Sequence, residues 1–324
     1  MSLSTSMVTD ESAEFLAEDI VYALAAEAAA EPKPGLVTAS QTASHTDMDV
    51  FTLLRSACSL RDTFRDAALL CANLDVGQAI GSCSSLFAEL RSIGRHGEQV
   101  MFRVTGGVNT HKGGIFLGVL LAAAARIVVD REPFLNPSQV CLVARQLAFP
   151  ALLSDMIFSD DDSDSVDHLS GGLRAWRMFG VQGIRGEVIS GFSSVLNNGI
   201  PALELSLNRG MRIGAALTHT LISLMAVVQD STVLNRVNDP KRLALVQDRA
   251  NDILANGSIF TKRGKRLIRR ANGEFIRLRI SPGGAADLTA VSLYLHLWSS
   301  HGRAACKKNY SSLCEGVDGQ SFWI

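Results

Sequence analysis

Proline is scarce in this chain, with 8 residues among 324, and no proline-, glycine- or serine-rich linker divides it into units. Aromatic residues contribute only 6%. None interrupts the basic run Lys262-Arg-Gly-Lys-Arg-Leu-Ile-Arg-Arg270, which argues against a stacking platform for nucleic acid. Acidic and basic side chains nearly cancel, and a net charge of −1 gives no general attraction to nucleic acid or to acidic membranes. Six cysteines (Cys58, Cys71, Cys83, Cys141, Cys306 and Cys314) include no Cys-x-x-Cys pair, so neither a zinc knuckle nor a disulfide framework is expected. The longest apolar run, residues 115–125, is too short to span a bilayer and ends at Arg126. Residues 1–14 lack the basic and hydrophobic regions of a signal peptide. These absences predict a soluble, cytoplasmic protein with no membrane and no nucleic-acid partner, in which any charged ligand is held by a local site.

What is present is helix-forming. Alanine and leucine dominate, and apolar residues recur at three- and four-residue spacing. Residues 11–30 place Leu16, Ile20 and Leu24 on one stripe and stop at Pro32 and Pro34. Further helices are expected over 49–64, 114–129, 209–228 and 288–298, the second of these apolar on nearly all sides and therefore central. The expectation is an all-α, single-domain, multi-helix bundle around a buried central helix, covering residues 11–300. Residues 301–324 form an unassigned tail. The acidic run at 159–167 reads as a solvated loop or helix entry.

One stretch stands apart from this pattern. Thr105-Gly-Gly-Val-Asn-Thr-His-Lys-Gly-Gly-Ile-Phe116 sets four glycines, two hydroxyls, an amide, an imidazole and an ammonium just before the central helix. Glycines let backbone N–H groups approach a phosphate, and a helix start adds unpaired donors and a positive dipole end. The spacing is not that of a Walker loop. The competing interpretation is structural, with Gly106 and Gly107 closing one helix and Asn109 or Thr110 capping the next.

Five ordered motifs resemble the triphosphoribosyl-dephospho-coenzyme A synthase family: Pro32-Lys-Pro-Gly-Leu-Val37, His45-Thr-Asp-Met-Asp49, the glycine-rich stretch above, Gly183-Ile-Arg-Gly-Glu187 and Ser281-Pro-Gly-Gly-Ala-Ala-Asp-Leu288. A sixth segment, Asp230-Ser-Thr-Val-Leu-Asn-Arg236, departs from the family pattern, with Thr232 in place of an asparagine and Val237-Asn238 in place of a glycine pair. The resemblance implies transfer of the 5-triphosphoribosyl group of ATP to the ribose 2-hydroxyl of 3-dephospho-coenzyme A, with release of adenine. The product would be the prosthetic-group precursor of an acyl carrier protein of citrate lyase or malonate decarboxylase, which is then a downstream, indirect partner. A homodimer is left open. Alternatives are an ATP-dependent transferase with another nucleotide acceptor, or a non-catalytic nucleotide-binding partner in acyl carrier protein maturation. The resemblance also implies a helix from near Thr261, where Ala271-Asn-Gly-Glu274 by itself would pass as a hairpin turn.

This chemistry asks for carboxylates at the reacting centre and for cations, N–H donors and Mg²⁺ at the phosphates. Glu187, Asp287, His45 and Asp49 are the candidate catalytic groups. Asp230, Asp287 and Asp47 are the candidate Mg²⁺ ligands. Lys33, Gly106, Gly107, Asn109, Thr110, His111, Lys112 and Arg185 are the candidate ATP contacts. Each has a structural alternative: helix capping for Asp47, Asp49 and Asp287, a surface ion pair for Glu187 with Arg185, an exposed loop lysine for Lys33. His96, His168, His219 and His296 read as structural.

Overall fold

The computed structural model describes residues 10–129, 136–157, 170–234 and 239–299. The acidic run, His168, Asn235 to Asn238, Cys306, Cys314 and the tail lie outside the described residues. Among those described, helix is the only regular structure beyond an isolated bridge between Thr38 and Gln41. The α-helices are α1 (Glu11–Ala29), α2 (Val50–Ser59), α3 (Arg61–Leu70), α4 (Val76–Gly81), α5 (Cys83–Thr105), α6 (Lys112–Val129) and α7 (Pro137–Ile157), followed by α8 (Gly171–Phe179), α9 (Gly183–Ile189), α10 (Ile200–Asn208), α11 (Ile213–Met225), α12 (Lys241–Ala255), α13 (Lys262–Leu278) and α14 (Gly283–Trp298).

α6 is the expected central helix. It packs against α1, α3, α5, α7 and α14, and residues 117–128 are buried without interruption. Gly118 allows a close approach of α3, since a Cβ there would meet the Phe64 ring. By length and composition α6 could cross a membrane, but 78% of it is buried within the protein, so its apolar surface is already covered by neighbouring helices.

Two expectations needed adjustment or arbitration. The segment 49–64 is not one helix: Asp49 starts α2 with a capping box, and the chain turns at Leu60 into α3, which carries Phe64 into the core beside α6. α13 is helical through Ala271-Asn-Gly-Glu274, because Ile268, Ala271 and Phe275 form a buried stripe that a hairpin would break, and Thr261 caps its start. Cys58, Cys71, Cys83 and Cys141 are free thiols, and burial pushes the Cys71 thiol up to about 12, which leaves it unreactive.

Candidate active site

A cleft of about 610 Å³ opens where α5, α6 and α7 face the starts of α8 and α9. α6 turns back along α5, which places Lys112 opposite Glu98, with Nζ and Oε2 2.9 Å apart. From this polar end the cleft runs past Gly94, Arg95 and Arg91 toward Phe87 and Leu90. Its facing wall is made by Ser170-Gly171-Gly172, Gln182, Arg185 and the Ser231-Thr232 turn.

Arg185 is the most telling side chain in this wall. It makes no hydrogen bond or ion pair among the described residues, although Asp155, Arg91 and Glu98 are close enough to influence its charge, and burial holds its pKa down. Gly172 presses against it, since a Cβ there would lie 2.8 Å from a guanidinium nitrogen. A desolvated guanidinium without a partner is costly, and an anionic ligand would offset that cost. Arg91 by contrast is paired with Asp155.

The glycine-rich stretch divides between two jobs. Gly106 and Gly107 adopt left-handed backbone at φ 68° and 92° and close α5, both N–H groups pointing to the Phe102 carbonyl. Asn109 accepts from the Lys112 N–H at 3.2 Å and, with Lys112 and Gly113, lines the cleft. Thr110 and His111 turn inward to the Ser56 hydroxyl, at 2.7 and 3.0 Å. His111 is fully enclosed, and burial, helped by the Lys33 charge, lowers its pKa to about 4.

The carboxylates expected at the centre sort by what they bond. Asp49 caps α2 and is exposed. Glu187 is buried but does not meet Arg185; its Oε1 accepts the N–H groups of Ser194 (2.7 Å) and Val195 (3.2 Å), capping the π-turn that leads into α10. Asp230 reaches across to cap α14: Oδ1 accepts Thr232 N, Thr232 Oγ1 and Gly284 N, and Oδ2 accepts Ala285 N at 2.9 Å. Burial still outweighs these donors and raises its pKa. Gly284 is what allows the approach, since a Cβ there would stand 2.7 Å from Oδ1. Thr232 also accepts from Gly283 N at 2.8 Å and lines the cleft.

Asp287 differs from all of these. It sits one turn into α14, whose start carries Pro282 and no cap from its own side chains, so Asp287 is not that helix's cap. Its carboxylate faces the first turn of α6, close enough that a Cβ on Gly113 would collide with it, and it lines the cleft beside Lys112. Burial pushes its pKa well up, with Glu27 and Asp230 adding repulsion and the Gly114 N–H opposing.

The remaining candidates lie outside the cleft lining. Lys33 is buried, its Nζ donating to Glu27 Oε1 at 2.9 Å and to the Glu27 and Ala28 carbonyls. His45 hydrogen-bonds Ser281 at 2.8 Å and lies 3.6 Å from Asp47, which is half exposed; together they dock the 38–49 loop on the entry to α14. No group of three or more potential metal ligands occurs among the described residues. Arg91, Arg95, Glu98, Asp155 and Ser170 to Gly172, which also line the cleft, belong to none of the sequence motifs. The Ser-Gly-Gly start of α8 carried a cap signal, but nothing in sequence tied α5 to it.

Comparison with known proteins matches this architecture to one family. The family described as ATP:dephospho-CoA triphosphoribosyl transferase matches residues 13–305. A probable 2-(5''-triphosphoribosyl)-3'-dephosphocoenzyme-A synthase of Pseudomonas putida is 37% identical over 285 residues, 87% of this chain and 94% of the relative. Proteins of the same description from Lactiplantibacillus plantarum (33% identical; 85% of this chain, 94% of the relative) and Stutzerimonas stutzeri (34% identical; 91% and 95%) are similar over a comparable span. No solved structure matches the chain significantly. With motifs in order, cleft and matched length in agreement, the chain belongs to the ATP:dephospho-CoA triphosphoribosyl transferase family.

Proposed function

We propose that this protein transfers the 5-triphosphoribosyl group of ATP to the ribose 2-hydroxyl of 3-dephospho-coenzyme A, releasing adenine, and that the reaction takes place in the α5–α6–α9 cleft. The observation that carries the placement is Arg185, a largely desolvated guanidinium with no hydrogen bond or ion pair among the described residues, on the same cleft as Lys112 and the glycine-rich start of α8. Triphosphate oxygens would pair with it. The product is the prosthetic-group precursor of an acyl carrier protein of citrate lyase or malonate decarboxylase.

In the transfer the bond from adenine to the ribose anomeric carbon breaks, and the acceptor oxygen bonds to that carbon. The acceptor hydroxyl gives up its proton, and adenine leaves with the bonding electrons and takes up a proton, so that overall one proton passes from the acceptor to the leaving base. Asp287 is suited to take the proton. Among the described residues it is the cleft carboxylate without an ion pair, and burial raises its pKa, which makes it a stronger base. Lys112 and Arg185 orient the triphosphate, while Asn109 and Thr232 present hydrogen-bonding groups to the riboses.

The donor set fits Mg²⁺ only as an ion carried on the triphosphate. Asp230 is saturated by four donors and Asp47 lies on the far loop, so of the three candidate ligands Asp287 is the one left for it. Mg²⁺ commonly keeps several waters and binds through one or two carboxylates plus phosphate, and would supply charge neutralisation. The direct test is to incubate the protein with ATP, Mg²⁺ and dephospho-coenzyme A and to look by mass spectrometry for free adenine and the triphosphoribosylated product. Production of ADP without adenine would overturn the assignment.

A further inference from the structure

The two substrates of the proposed transfer share adenosine and phosphates, and only the acceptor carries a pantetheine arm, a long chain of methylene and methyl groups interrupted by amides. The cleft has the same asymmetry. Lys112, Glu98, Asn109, Arg185 and Asp287 gather at one end, and Phe87, Leu90, Val119, Leu120 and Leu152 floor the other. Along α5, the distance from Glu98 to Phe87 is roughly 16 Å at the helical rise. Adenine, ribose and phosphates are common to both substrates, so the arm is the one long part that the acceptor has in addition and that would use such an extension.

We infer that the apolar end of the cleft, between α5, α6 and α7, binds the pantetheine arm of the acceptor, and that Gly94 keeps the passage to it open. Gly94 lies in the interior of α5, where glycine weakens a helix relative to almost any other residue. A Cβ at Gly94 would meet nothing within 4 Å, and the residue lines the cleft midway between its polar and apolar ends. Among the described residues no turn or close packing calls for glycine there, whereas free passage along the cleft does. Above this floor the Arg91–Asp155 pair, at the rim, is placed to meet the arm's amides.

The inference rests on the proposed transfer, and the experiment separates the two. Binding of dephospho-coenzyme A and of ADP, which lacks the arm, is measured by calorimetry for wild type, Gly94→Leu and Phe116→Ala, and adenine release is followed in parallel. Wild type is expected to bind dephospho-coenzyme A more tightly than ADP, and Gly94→Leu to weaken dephospho-coenzyme A by about 10-fold or more, the scale of a lost or blocked apolar contact. ADP affinity and KM for ATP should stay within about twofold, since polar contacts are untouched. Leucine improves the helix, so the melting temperature should not fall. Phe116 lines the cleft one turn before Val119 and Leu120, and Phe116→Ala should act in the same direction with a smaller effect. If Gly94→Leu weakens ADP and dephospho-coenzyme A equally, or weakens neither, the arm lies elsewhere. If wild type releases no adenine, the transfer reading fails, while the difference between dephospho-coenzyme A and ADP still decides the arm site.

Discussion

Four acidic residues with comparable sequence credentials turn out to have different partners, and that difference is measurable. Asp49, Glu187 and Asp230 accept backbone N–H groups at helix starts, whereas Asp287 has mostly negative neighbours. Replacing a carboxylate by an amide should therefore act oppositely at two of these sites. Asp287→Asn removes the repulsion from Glu27 and Asp230 and is expected to raise the melting temperature while reducing adenine release by orders of magnitude, as expected where a site group has been selected for chemistry at a cost in stability. Asp230→Asn turns an NH₂ against the Ala285 N–H or the Thr232 and Gly284 donors and should cost about 1–3 kcal/mol. Melting curves and turnover for the two variants check this. An active Asp287→Asn enzyme would remove Asp287 from the chemistry. Sequence could nominate these residues, but a cap supplied from 54 residues away in sequence, as between Asp230 and Gly284, leaves no local signature.

At the scale of elements, two glycines from one motif serve different helices. Gly106 ends α5 in left-handed backbone with open space around its Cα, so Gly106→Ala should cost about 1 kcal/mol of stability and leave turnover unchanged. Gly113 begins α6 against the Asp287 carboxylate, and Gly113→Ala must displace that group. It is expected to lower kcat by at least about 10-fold, as small misplacements of reacting groups do, and crowding a buried carboxylate should also cost about 1–3 kcal/mol. Turnover and melting midpoints for the pair would settle it, and equal kcat values would show that the α6 start does not position Asp287. The composition of the motif had suggested anion binding or helix punctuation. Gly106 and Gly107 punctuate α5, whereas Asn109, Lys112 and Gly113 line the cleft, because α6 doubles back on α5 and begins at the cleft wall.

Across the whole molecule, polar groups buried behind the cleft join separate helices and make the fold sensitive to acid. His111 links the start of α6 to Ser56 of α2 and lies near Lys33. Its folded pKa of about 4 is below the ordinary histidine value of 6.5. Its contribution to stability is therefore complete above pH 6.5 and is lost as pH falls toward 4, because the unfolded chain takes up a proton that the folded chain refuses. The loss is on the order of 3 kcal/mol from the size of the shift. Urea midpoints at pH 7, 5.5 and 4 should fall less steeply for His111→Gln than for wild type. Identical slopes would show that another group controls the acid transition.

Apolar spacing along the chain was enough to determine an all-helical protein, the central position of α6 and the helical stretches around it, because core burial imposes a period that neighbouring residues carry themselves. The ordered motifs determined the family. Tertiary structure alone decided which motif residues meet in the cleft. Lys112, Arg185, Asn109 and Asp287 line it, while Lys33, Glu187 and Asp230 brace the helices around it. It also brought in Arg91, Arg95 and Gly94 from α5. The reason is physical. A glycine-rich turn or an acid beside a helix start has the same local form whether its donors and acceptors serve a ligand or another helix end. Which of the two applies depends on groups that only packing brings near.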